Sequence, residues 1–474
     1  MKNQRRRRQV LLFPFPFQGH INPMLALASM LHSRGSPITI FHTHYNSGAI
    51  DRSSKHPSYR FIEIPDQVSN LRSSSQDHVL SLIRLLNDNC TVPFHRHLAQ
   101  VLSDTDDDTV TDCRPCLVLD MHWYKMNPVA KFLGVPTLVL RTGSAASLNG
   151  FIALPALYRK GILPSRAQVA EWEMEAAVEE LPPLKVKDMI AVGNDREQLL
   201  CFVALDAENV RTSAGIIINT SDTLESAELE KLRSDLSLPV FAVGPLHKFA
   251  TPPEATNSSS LWPVQVRQDE DRMCMEWLDC QDPRSVLYVS FGSLASMGRS
   301  DFTEMACGLA NSGRPFLWVI RQGSVKGQHL DSALPDGLFG NGTMRSGIGK
   351  IVEWAPQRDV LAHRAVGGFW THCGWNSTLE ALTEGVPMIC TPFFSDQMGN
   401  TRYMADVWKV GVELRVPLER GRVEGAIRRM LTTGDGESMR ARAEELQRLL
   451  ANANEEGGSS CQAADDLLSF LSSI

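Results

Sequence analysis

Short runs of apolar, β-branched residues alternate along the chain with longer stretches in which apolar residues recur every three or four positions. The short runs predict buried strands, and the longer stretches predict amphipathic helices. Helices are predicted at 22–33, 78–102 and 224–232, among others. The predicted strands cover residues 9–13, 38–42, 116–119, 137–140, 215–218, 240–243, 286–291, 316–320, 349–352, 366–371 and 387–391. Such alternation predicts parallel sheets with helices on both faces.

The alternation stops at residues 246–272, where a Thr-Pro-Pro sequence, an Asn-Ser-Ser-Ser run and a charged stretch follow one another. This composition is typical of a linker. We therefore predict an α/β protein with two Rossmann-like parallel-sheet domains facing each other across a cleft. The N-terminal domain would cover 1–245, and the C-terminal domain 273–455. The amphipathic end of the chain predicts a helix at 456–474 that packs back on the N-terminal domain.

Composition and charge narrow the class of protein. Apolar residues make up 43% of the 474 residues and charged residues 21%, as in soluble globular proteins. The net charge of -7 disfavours a nucleic-acid partner, because such binding requires clustered Lys and Arg. No stretch reaches the roughly 20 apolar residues of a membrane span, and Pro14 and Pro16 interrupt the one run that resembles a signal peptide. We expect a cytoplasmic monomer with no membrane partner.

Two features could bind a metal. Cys113 and Cys116 form a CxxC pair, but no second pair lies at zinc-like spacing. The polar stretch 103–112 contains five aspartates that could hold Mg²⁺ with a diphosphate, although a solvated acidic loop explains it better because no strand adjoins it. We expect no metal and no cofactor.

The densest group of aromatic and polar residues lies between residues 354 and 397. An apolar strand ends there at Thr371-His372-Cys373-Gly374, and a helix is predicted to begin near Asn376 or Ser377. A strand, a glycine-containing turn and a helix start present backbone N–H groups and the positive end of the helix dipole to an anion. With the side chains of His372, Asn376 and Ser377, this turn could hold a diphosphate without a metal.

A purely structural reading of the same turn is a capping box formed by Ser377 and Glu380. That reading does not explain the bulky Trp375 at the turn or Trp354 on a loop after a strand. An exposed indole is unfavourable unless it meets a ligand, and a flat nucleobase is a good stacking surface.

The 44 residues from Trp354 to Gln397 resemble, without a gap, the signature box of the plant secondary-product glycosyltransferases, family 1, which have the GT-B fold. Three other segments are similar to the family: residues 274–279, 285–293, and the first loop from Phe15 to Pro23. The resemblance implies a UDP-sugar donor, which is a co-substrate and not a cofactor, and a small-molecule aglycone acceptor.

The resemblance also implies a role for each matching residue. Trp354 would stack on uracil, with Ala355 making backbone contacts to it, and Gln357 and Glu380 would bind the ribose hydroxyls. The diphosphate would be held by His372, Gly374, Asn376, Ser377 and Ser293. The sugar would be contacted by Trp375, Asp396, Gln397 and, from the first domain, Thr142. A closing Gln resembles the members of the family that use glucose.

Transfer to a hydroxyl requires a base, and histidine suits this role near neutral pH. His20 follows the first predicted strand and Asp120 ends a neighbouring one, so one sheet edge could bring them together. Taken alone, His20 could be a surface or capping residue, and Asp120 could be the N-cap of the next helix. The resemblance places both on the family's catalytic pair and implies an inverting, metal-independent reaction that gives a β-glucoside.

The sequence narrows the acceptor only loosely. Candidate pocket segments lie near Phe15, at 87–93, 143–157 and 200–205, and at Phe393-Phe394. Residues 181–188 and the N-terminal segment are similar to a subgroup with benzoxazinoid, cytokinin and terpenoid glucosyltransferases, and phenolic or flavonoid acceptors also remain open. His122 and Lys125 depart from the family pattern and either alter the pocket or face solvent. A catalytically idle sugar-nucleotide binder and a nicotinamide-dependent dehydrogenase are the competing functions, and the single glycine in 15–23 disfavours the dehydrogenase.

Overall fold

The computed structural model describes residues 8–46, 58–68, 76–106, 115–163, 170–189, 196–249, 268–292, 295–321, 323–326, 339–340, 343–344 and 348–474. Contacts divide the chain into two compact units. Unit 1 comprises Met1–Ala167, Val192–Val264 and Asn452–Ile474, and unit 2 comprises Gln168–Ala191 and Gln265–Ala451. Residues Gln168–Ala191, which fall within the predicted N-terminal domain, are thus part of unit 2.

Each unit is built around one sheet. The strands of unit 1 are β1 (Val10–Phe13), β2 (Ile38–Thr43), β3 (Arg60–Ile64), β4 (Cys116–Asp120), β5 (Thr137–Arg141), β6 (Gly215–Ile218) and β7 (Val240–Ala242). The strands of unit 2 are β8 (Val286–Ser290), β9 (Phe316–Val319), β10 (Phe339–Gly340), β11 (Thr343–Met344), β12 (Gly349–Val352), β13 (Val366–Thr371), β14 (Met388–Cys390) and β15 (Gly411–Glu413). The prediction of two α/β units is confirmed.

Helices connect most of the strands. In chain order they are α1 (Gln18–Ser33), α2 (Gln76–Asp106), α3 (Met126–Phe132), α4 (Ala145–Arg159), α5 (Glu171–Met174), α6 (Arg196–Arg211), α7 (Asp222–Leu236), α8 (Leu246–Phe249), α9 (Gln268–Asp279), α10 (Arg299–Ser312), α11 (Gln357–Ala362), α12 (Trp375–Thr383), α13 (Gln397–Arg402), α14 (Arg420–Thr432), α15 (Gly434–Asn454) and α16 (Ser459–Ser473). Of the predicted linker 246–272, only the residues of α8 and those from the start of α9 onward are described.

The strand order defines where ligands can bind in each sheet. The first sheet has the order β3-β2-β1-β4-β5-β6-β7, and all its neighbours are parallel. The second has the order β10-β11-β12-β9-β8-β13-β14-β15, in which β11 pairs antiparallel with both β10 and β12, and the other neighbours are parallel. The order reverses between β1 and β4 in the first sheet and between β8 and β13 in the second. Such switch points open a crevice at the carboxyl ends of the strands.

The last helix, α16, belongs to the core of unit 1. Its Ala464, Leu467 and Leu471 are buried in one hydrophobic cluster with Val10 and Leu12 of β1. The hydroxyl of Ser460, near the start of α16, donates a hydrogen bond to the carbonyl oxygen of Gly244 at 2.7 Å. The end of the chain is therefore an integral part of unit 1, because removing it would uncover this apolar cluster.

The structure differs from the predicted elements at the sheet edges and in the acceptor segments. Strands β3 and β15 were missed because they are partly exposed and lie at the edges of the sheets, so their apolar patterns are weak. The acceptor segment 200–205, for which no helix was predicted, lies inside α6, whereas 87–93 lies inside α2, as the predicted helix at 78–102 implies. Among the described residues, no helix combines the length and apolar character that crossing a bilayer requires.

One buried carboxylate makes the stability of unit 1 depend on pH. Glu225 is 1% exposed, and its oxygens accept hydrogen bonds from the N–H groups of Ala145 and Ala146 at the start of α4 and from the Thr220 hydroxyl. Burial raises the pKa of Glu225 to about 7, although these three hydrogen bonds act in the opposite direction. The ionised form is thus less favourable in the folded than in the unfolded chain.

We expect the contribution of Glu225 to stability to be complete below the pKa of an ordinary Glu and to be lost as pH rises to about 7. The loss amounts to about 3 kcal/mol. Glu225→Gln should therefore gain stability relative to the wild-type protein between pH 5 and pH 8, as measured by urea unfolding at both values. A difference between the two proteins that does not change with pH would contradict this.

Candidate active site

His20 and Asp120 meet at the switch point of the first sheet. Asp120 is the last residue of β4, and β4 pairs in parallel with β1, with Phe13 opposite Leu119. His20 lies in the first turn of α1, which begins soon after β1, and not in a loop as predicted. The Nδ1 atom of His20 lies 2.8 Å from Oδ2 of Asp120. The neighbouring strand ends thus bring the two side chains together, as the sequence predicts.

The surroundings of Asp120 keep its carboxyl ionised. Its Oδ1 accepts a hydrogen bond from the backbone N–H of His122 at 3.0 Å, and the side chain is 1% exposed. Burial raises the pKa of Asp120, but the charge and hydrogen bond of His20, together with the charge and backbone N–H of His122, outweigh it and lower this pKa. The next helix, α3, has Lys125 as its N-cap, so the N-cap alternative for Asp120 is wrong.

An ionised Asp120 orients the imidazole of His20. The carboxylate accepts the proton of Nδ1, so Nε2 is the nitrogen with a lone pair that can take a proton from a ligand. The hydroxyl oxygen of Thr142 lies 3.3 Å from the same Nδ1 atom. The ring of Phe15 packs edge-on against the rings of His20 and His122, at 6.1 and 5.7 Å between centroids. The pair can act as a general base beside an apolar wall.

The turn after β13 leads into a helix whose N-terminus has no side-chain cap. Cys373 has a φ of 68°, in the left-handed region, and α12 begins at Trp375 with Gly374 as its N-cap and no side-chain cap. The helix thus starts one or two residues earlier than predicted. Its first-turn N–H groups face the carboxyl edge of the sheet, where an anion is stabilised by them and by the helix dipole.

The capping-box alternative for this turn is wrong. A capping box would need Ser377 at the N-cap, but Gly374 occupies that position. The side chains of Ser377 and Glu380 each accept a hydrogen bond from Nε2 of Gln357, at 3.0 and 2.7 Å. The Tyr288 hydroxyl lies 3.4 Å from Oε1 of Gln357. A buried tyrosine therefore orients the amide, and Glu380 presents its carboxylate, a suitable acceptor for the hydroxyls of a ribose.

His372 is held between two glycines. A Cβ atom on Gly292 would lie 2.6 Å from its ring, and one on Gly374 would lie 2.4 Å from it. Burial, with a smaller effect from the charge of Arg321, lowers the pKa of His372 to about 4. Its Nδ1 atom is buried with no hydrogen-bond partner in the described part of the chain. A neutral imidazole with an unsatisfied nitrogen suits a site that receives a polar ligand. Ser293, on the loop beside it, lies outside the described residues.

We expect Gly374→Ala to reduce donor affinity about 10- to 100-fold, because the new methyl group displaces the His372 ring from the position predicted for the diphosphate. Gly374 has φ -64° and ψ 141°, which alanine adopts readily, so folding should be unaffected. Calorimetric titration with UDP-glucose measures the effect. Gly298→Ala is the matched control, since it changes an N-cap glycine of similar conformation whose Cβ would have no contact closer than 3.7 Å. Wild-type affinity in Gly374→Ala would contradict a role of His372 in binding the diphosphate.

The two tryptophans of the segment have different environments. Trp354 is half-buried on the loop after β12, and its carbonyl oxygen lies 3.9 Å from Sγ of the buried Cys274. The next residue, Ala355, is 3% exposed. Trp375 is only 4% exposed in the first turn of α12 and packs on Trp408. The argument from an unexplained exposed indole therefore applies to Trp354 alone.

Asp396 and Gln397 start helix α13. The side-chain oxygen of Gln397 accepts hydrogen bonds from the N–H groups of Phe393 and Phe394, at 2.9 and 3.1 Å. Within the described residues its Nε2 has no partner, so the amide is fixed with its donor unused. Asp396, the N-cap, accepts a hydrogen bond from Asn400 at 3.3 Å and keeps a second oxygen for a ligand.

The other end of α13 is held by Asp188, which the sequence analysis did not identify. Its carboxylate, 1% exposed, accepts hydrogen bonds from Nε and the terminal nitrogen of Arg402 at 2.6 and 3.2 Å, and lies 3.5 Å from Arg415. Asp188 is 214 residues from Arg402 in sequence, so no local pattern could indicate the contact. The ion pair attaches segment Gln168–Ala191 to the helix that begins with Gln397.

The two metal sites considered from the sequence, the aspartates of 103–112 and the CxxC pair, lie only partly within the described residues. Asp104 accepts hydrogen bonds from Arg60 and Gln100, and the side chains of the other aspartates in 103–112 lie outside the described residues. Cys116 is a buried free thiol in β4, and Cys113 is also outside them. In the described part of the chain, ligand atoms close enough for one ion occur at His20, Asp120 and His122, within 4.8 Å of one another.

Comparisons with known proteins identify the class. A family model described as "UDP-glucoronosyl and UDP-glucosyl transferase" matches residues 263–433. The chain is 40% identical over 475 aligned positions to UDP-glycosyltransferase 76C1 of Arabidopsis thaliana, covering 99% of this chain and 98% of that protein. The chain belongs to the plant family 1 UDP-glycosyltransferases and is a UDP-sugar-dependent transferase.

One further relative and two solved structures agree with this family assignment. The chain is 44% identical over 441 residues to the DIMBOA UDP-glucosyltransferase BX9 of Zea mays, covering 93% of this chain and 90% of that one. A UDP-glucose:anthocyanidin 3-O-glucosyltransferase in complex with UDP superimposes with a TM-score of 0.82 at 25% identity and covers 100% of both chains. Os79 of O. sativa in complex with UDP gives 0.78 at 26% identity, with 98% of this chain and 100% of that one covered. The predicted GT-B fold is confirmed.

Proposed function

We propose that this protein is an inverting, metal-independent glucosyltransferase that moves glucose from UDP-glucose to a small, fairly hydrophobic plant metabolite. His20 is the general base, and Asp120 orients it. The observation that carries the proposal is the 2.8 Å contact of His20 Nδ1 with a buried, ionised Asp120 at the switch point of the first sheet.

The reaction follows from this geometry. Nε2 of His20 takes the proton of the acceptor hydroxyl as its oxygen attacks the anomeric carbon of glucose. The bond from that carbon to the diphosphate breaks on the opposite face, and its electron pair leaves with UDP. Attack opposite the leaving group inverts the α-linked donor and gives a β-glucoside. Asp120 stabilises the imidazolium that forms.

The residues of unit 2 support the donor half of the proposal. We assign Trp354 and Ala355 to uracil, and Gln357 and Glu380 to the ribose. The uncapped start of α12 receives the diphosphate, and it stabilises the charge that develops on departing UDP without a metal. The diphosphate ligands are His372, Gly374, Asn376, Ser377 and Ser293. The sugar ligands are Trp375, Asp396, Gln397 and Thr142.

For Trp375 and Gln397 the contacts narrow the proposed roles. Because the Trp375 indole is buried, we assign its sugar contact to the backbone at the helix start. Because the oxygen of Gln397 is occupied by two backbone N–H groups, its Nε2 is the donor offered to a sugar hydroxyl.

The acceptor classes follow from the relatives and the pocket wall. The DIMBOA glucosyltransferases of Zea mays, at 43–44% identity, favour a benzoxazinoid or a similar cyclic hydroxy compound. Phe15 lies beside His20, Phe202 lies beside His122, and Phe151 packs on Phe202. These aromatic residues favour a flat, apolar acceptor. Phenolic or flavonoid, cytokinin and terpenoid acceptors are the alternatives.

One assay tests the function. The purified protein is incubated with UDP-glucose and a panel containing members of these four acceptor classes, and products are analysed by mass spectrometry and proton NMR. We expect a mass gain of one hexose and the large anomeric coupling of a β-glucoside, undiminished by EDTA. An α-linked product would exclude the inverting reaction. UDP-glucose binding without transfer to any acceptor would favour the idle binding protein instead.

A further inference from the structure

A second histidine–carboxylate pair lies beside the first. Nδ1 of His122 is 2.6 Å from Oδ2 of Asp206, a fully buried residue of α6. The ring centroids of His20 and His122 are 5.0 Å apart. Both pairs therefore occupy the same switch point of the first sheet, although the reaction described above uses only one of them.

The pair of His122 and Asp206 keeps a proton between its two side chains. Burial lowers the pKa of His122, and Arg141 acts in the same direction, but the charge and hydrogen bond of Asp206 and the charge of Asp120 outweigh them and raise this pKa. Burial also raises the pKa of Asp206, and the charge and hydrogen bond of His122 offset this only in part. Whichever side chain holds the shared proton, Nδ1 of His122 faces Asp206 and Nε2 carries a hydrogen, so His122 is a hydrogen-bond donor and not a second base.

The free edge of this donor reaches the pocket. Asp206 occupies Nδ1, which leaves the Nε2–H group, and 12% of the side chain is exposed. The ring lies between Phe15 and Phe202, at 5.7 and 5.3 Å between centroids, and Phe151 packs on Phe202. Apolar walls of this kind strengthen the interaction of an N–H donor with an anion, because they exclude water from it.

A cation lies close to this group. Arg141 is 7% exposed, its guanidinium lies 5.7 Å from the ring centroid of Phe151, and its Nε–H has no partner among the described residues. The guanidinium is permanently charged, and within the described residues it forms no ion pair, because the carboxylates of Asp120 and Asp206 contact imidazoles instead. A buried cation without a carboxylate partner favours a negative group beside it. The Nε–H of Arg141 and the Nε2–H of His122 are the donors left to receive that group.

We propose that His122, held by Asp206, is an anion subsite of the acceptor pocket, and that the acceptor carries a carboxylate or similarly acidic oxygen near the hydroxyl that receives glucose. The 5.0 Å between the two rings restricts the anion to a position within a few bonds of that hydroxyl. This inference rests on the proposed function, since it needs His20 to mark the position of the reacting hydroxyl.

The test compares pairs of acceptors that differ only in charge. The probes are 2- and 3-hydroxybenzoate and their methyl esters, each with UDP-glucose, and the readout is the ratio of kcat/KM for acid over ester, counting only glucose on the phenolic oxygen. We expect the wild-type protein to prefer the acid in at least one pair. His122→Gln removes the imidazole donor and Asp206→Asn removes the carboxylate that fixes it, so each should reduce this ratio at least about tenfold.

The ratio separates charge recognition from general damage, because a disturbed fold would slow acid and ester alike. Lys125→Gln is the control: it removes a positive charge three residues away that pairs with Asp88 on the surface, and the ratio should stay unchanged. Turnover of the esters with a ratio that is below one, or that is the same in His122→Gln, would overturn the anion subsite and leave the proposed function intact. Failure of the wild-type protein to glucosylate these probes and every member of the wider acceptor panel would overturn both.

Discussion

His20→Ala is expected to lower kcat/KM for glucosyl transfer by about 10²- to 10⁴-fold while leaving UDP affinity unchanged. The alcohol must lose its proton as it attacks, and Nε2 of His20 is the proposed acceptor of that proton. The proposed uracil, ribose and diphosphate ligands all lie in unit 2, so their contacts with UDP do not involve this histidine. Steady-state kinetics and calorimetric titration with UDP measure the two quantities.

The loss should depend on the acidity of the acceptor. A base contributes most to weakly acidic alcohols and least to phenols that are already partly ionised, so the deficit of His20→Ala should shrink along a series of phenols of falling pKa. His95→Ala, which removes an exposed histidine of α2, is the control and should retain full activity. A deficit of equal size for all acceptors would show that His20 positions the acceptor but does not deprotonate it.

Asp120→Asn is expected to lower kcat by about 10³- to 10⁴-fold, although it removes only a charge. Oδ1 of Asp120 accepts the backbone N–H of His122, and that donor cannot turn away. The oxygen of an asparagine must therefore stay there, which points its NH₂ group at Nδ1 of His20. The imidazole then has to accept at Nδ1 and carry its proton on Nε2, so the proposed base is in the wrong tautomer.

The comparison with Asp120→Ala makes this prediction specific. Alanine removes the orienting group but imposes no tautomer, so Asp120→Asn should be no more active than Asp120→Ala. Asp206→Asn, which alters the carboxylate of the neighbouring pair, should retain transfer to a neutral methyl ester far better than Asp120→Asn. If Asp120→Asn kept activity within tenfold of wild type, the orienting role of Asp120 would be excluded.

The central strands could be predicted nearly to the residue because they are buried on both faces. Val10–Phe13 and Val366–Thr371 are continuous apolar runs bounded by polar or turn-forming residues, and such runs have few alternatives in an α/β chain. The nearness of His20 and Asp120 followed from the same pattern, because neighbouring parallel strands end at one edge.

Contacts between segments that are distant in sequence could not be predicted in this way. Asp206 meets His122 across 84 residues and Asp188 meets Arg402 across 214, and neither aspartate stands at a strand end. The burial of Trp375 could not be predicted either, because it depends on the residue at which α12 begins. A shift of one or two residues takes this indole from a turn to a buried helical position.

The discontinuous units restrict how the enzyme can be recombined. The chain passes between units 1 and 2 four times, at residues 167/168, 191/192, 264/265 and 451/452. A chimera made by joining two family members at one point near residue 250 would combine β1 of one parent with α16 of the other, across the shared cluster of Val10, Leu12, Ala464, Leu467 and Leu471. Acceptor specificity should therefore transfer between relatives most cleanly when residues 452–474 are exchanged together with 1–167 and 192–264.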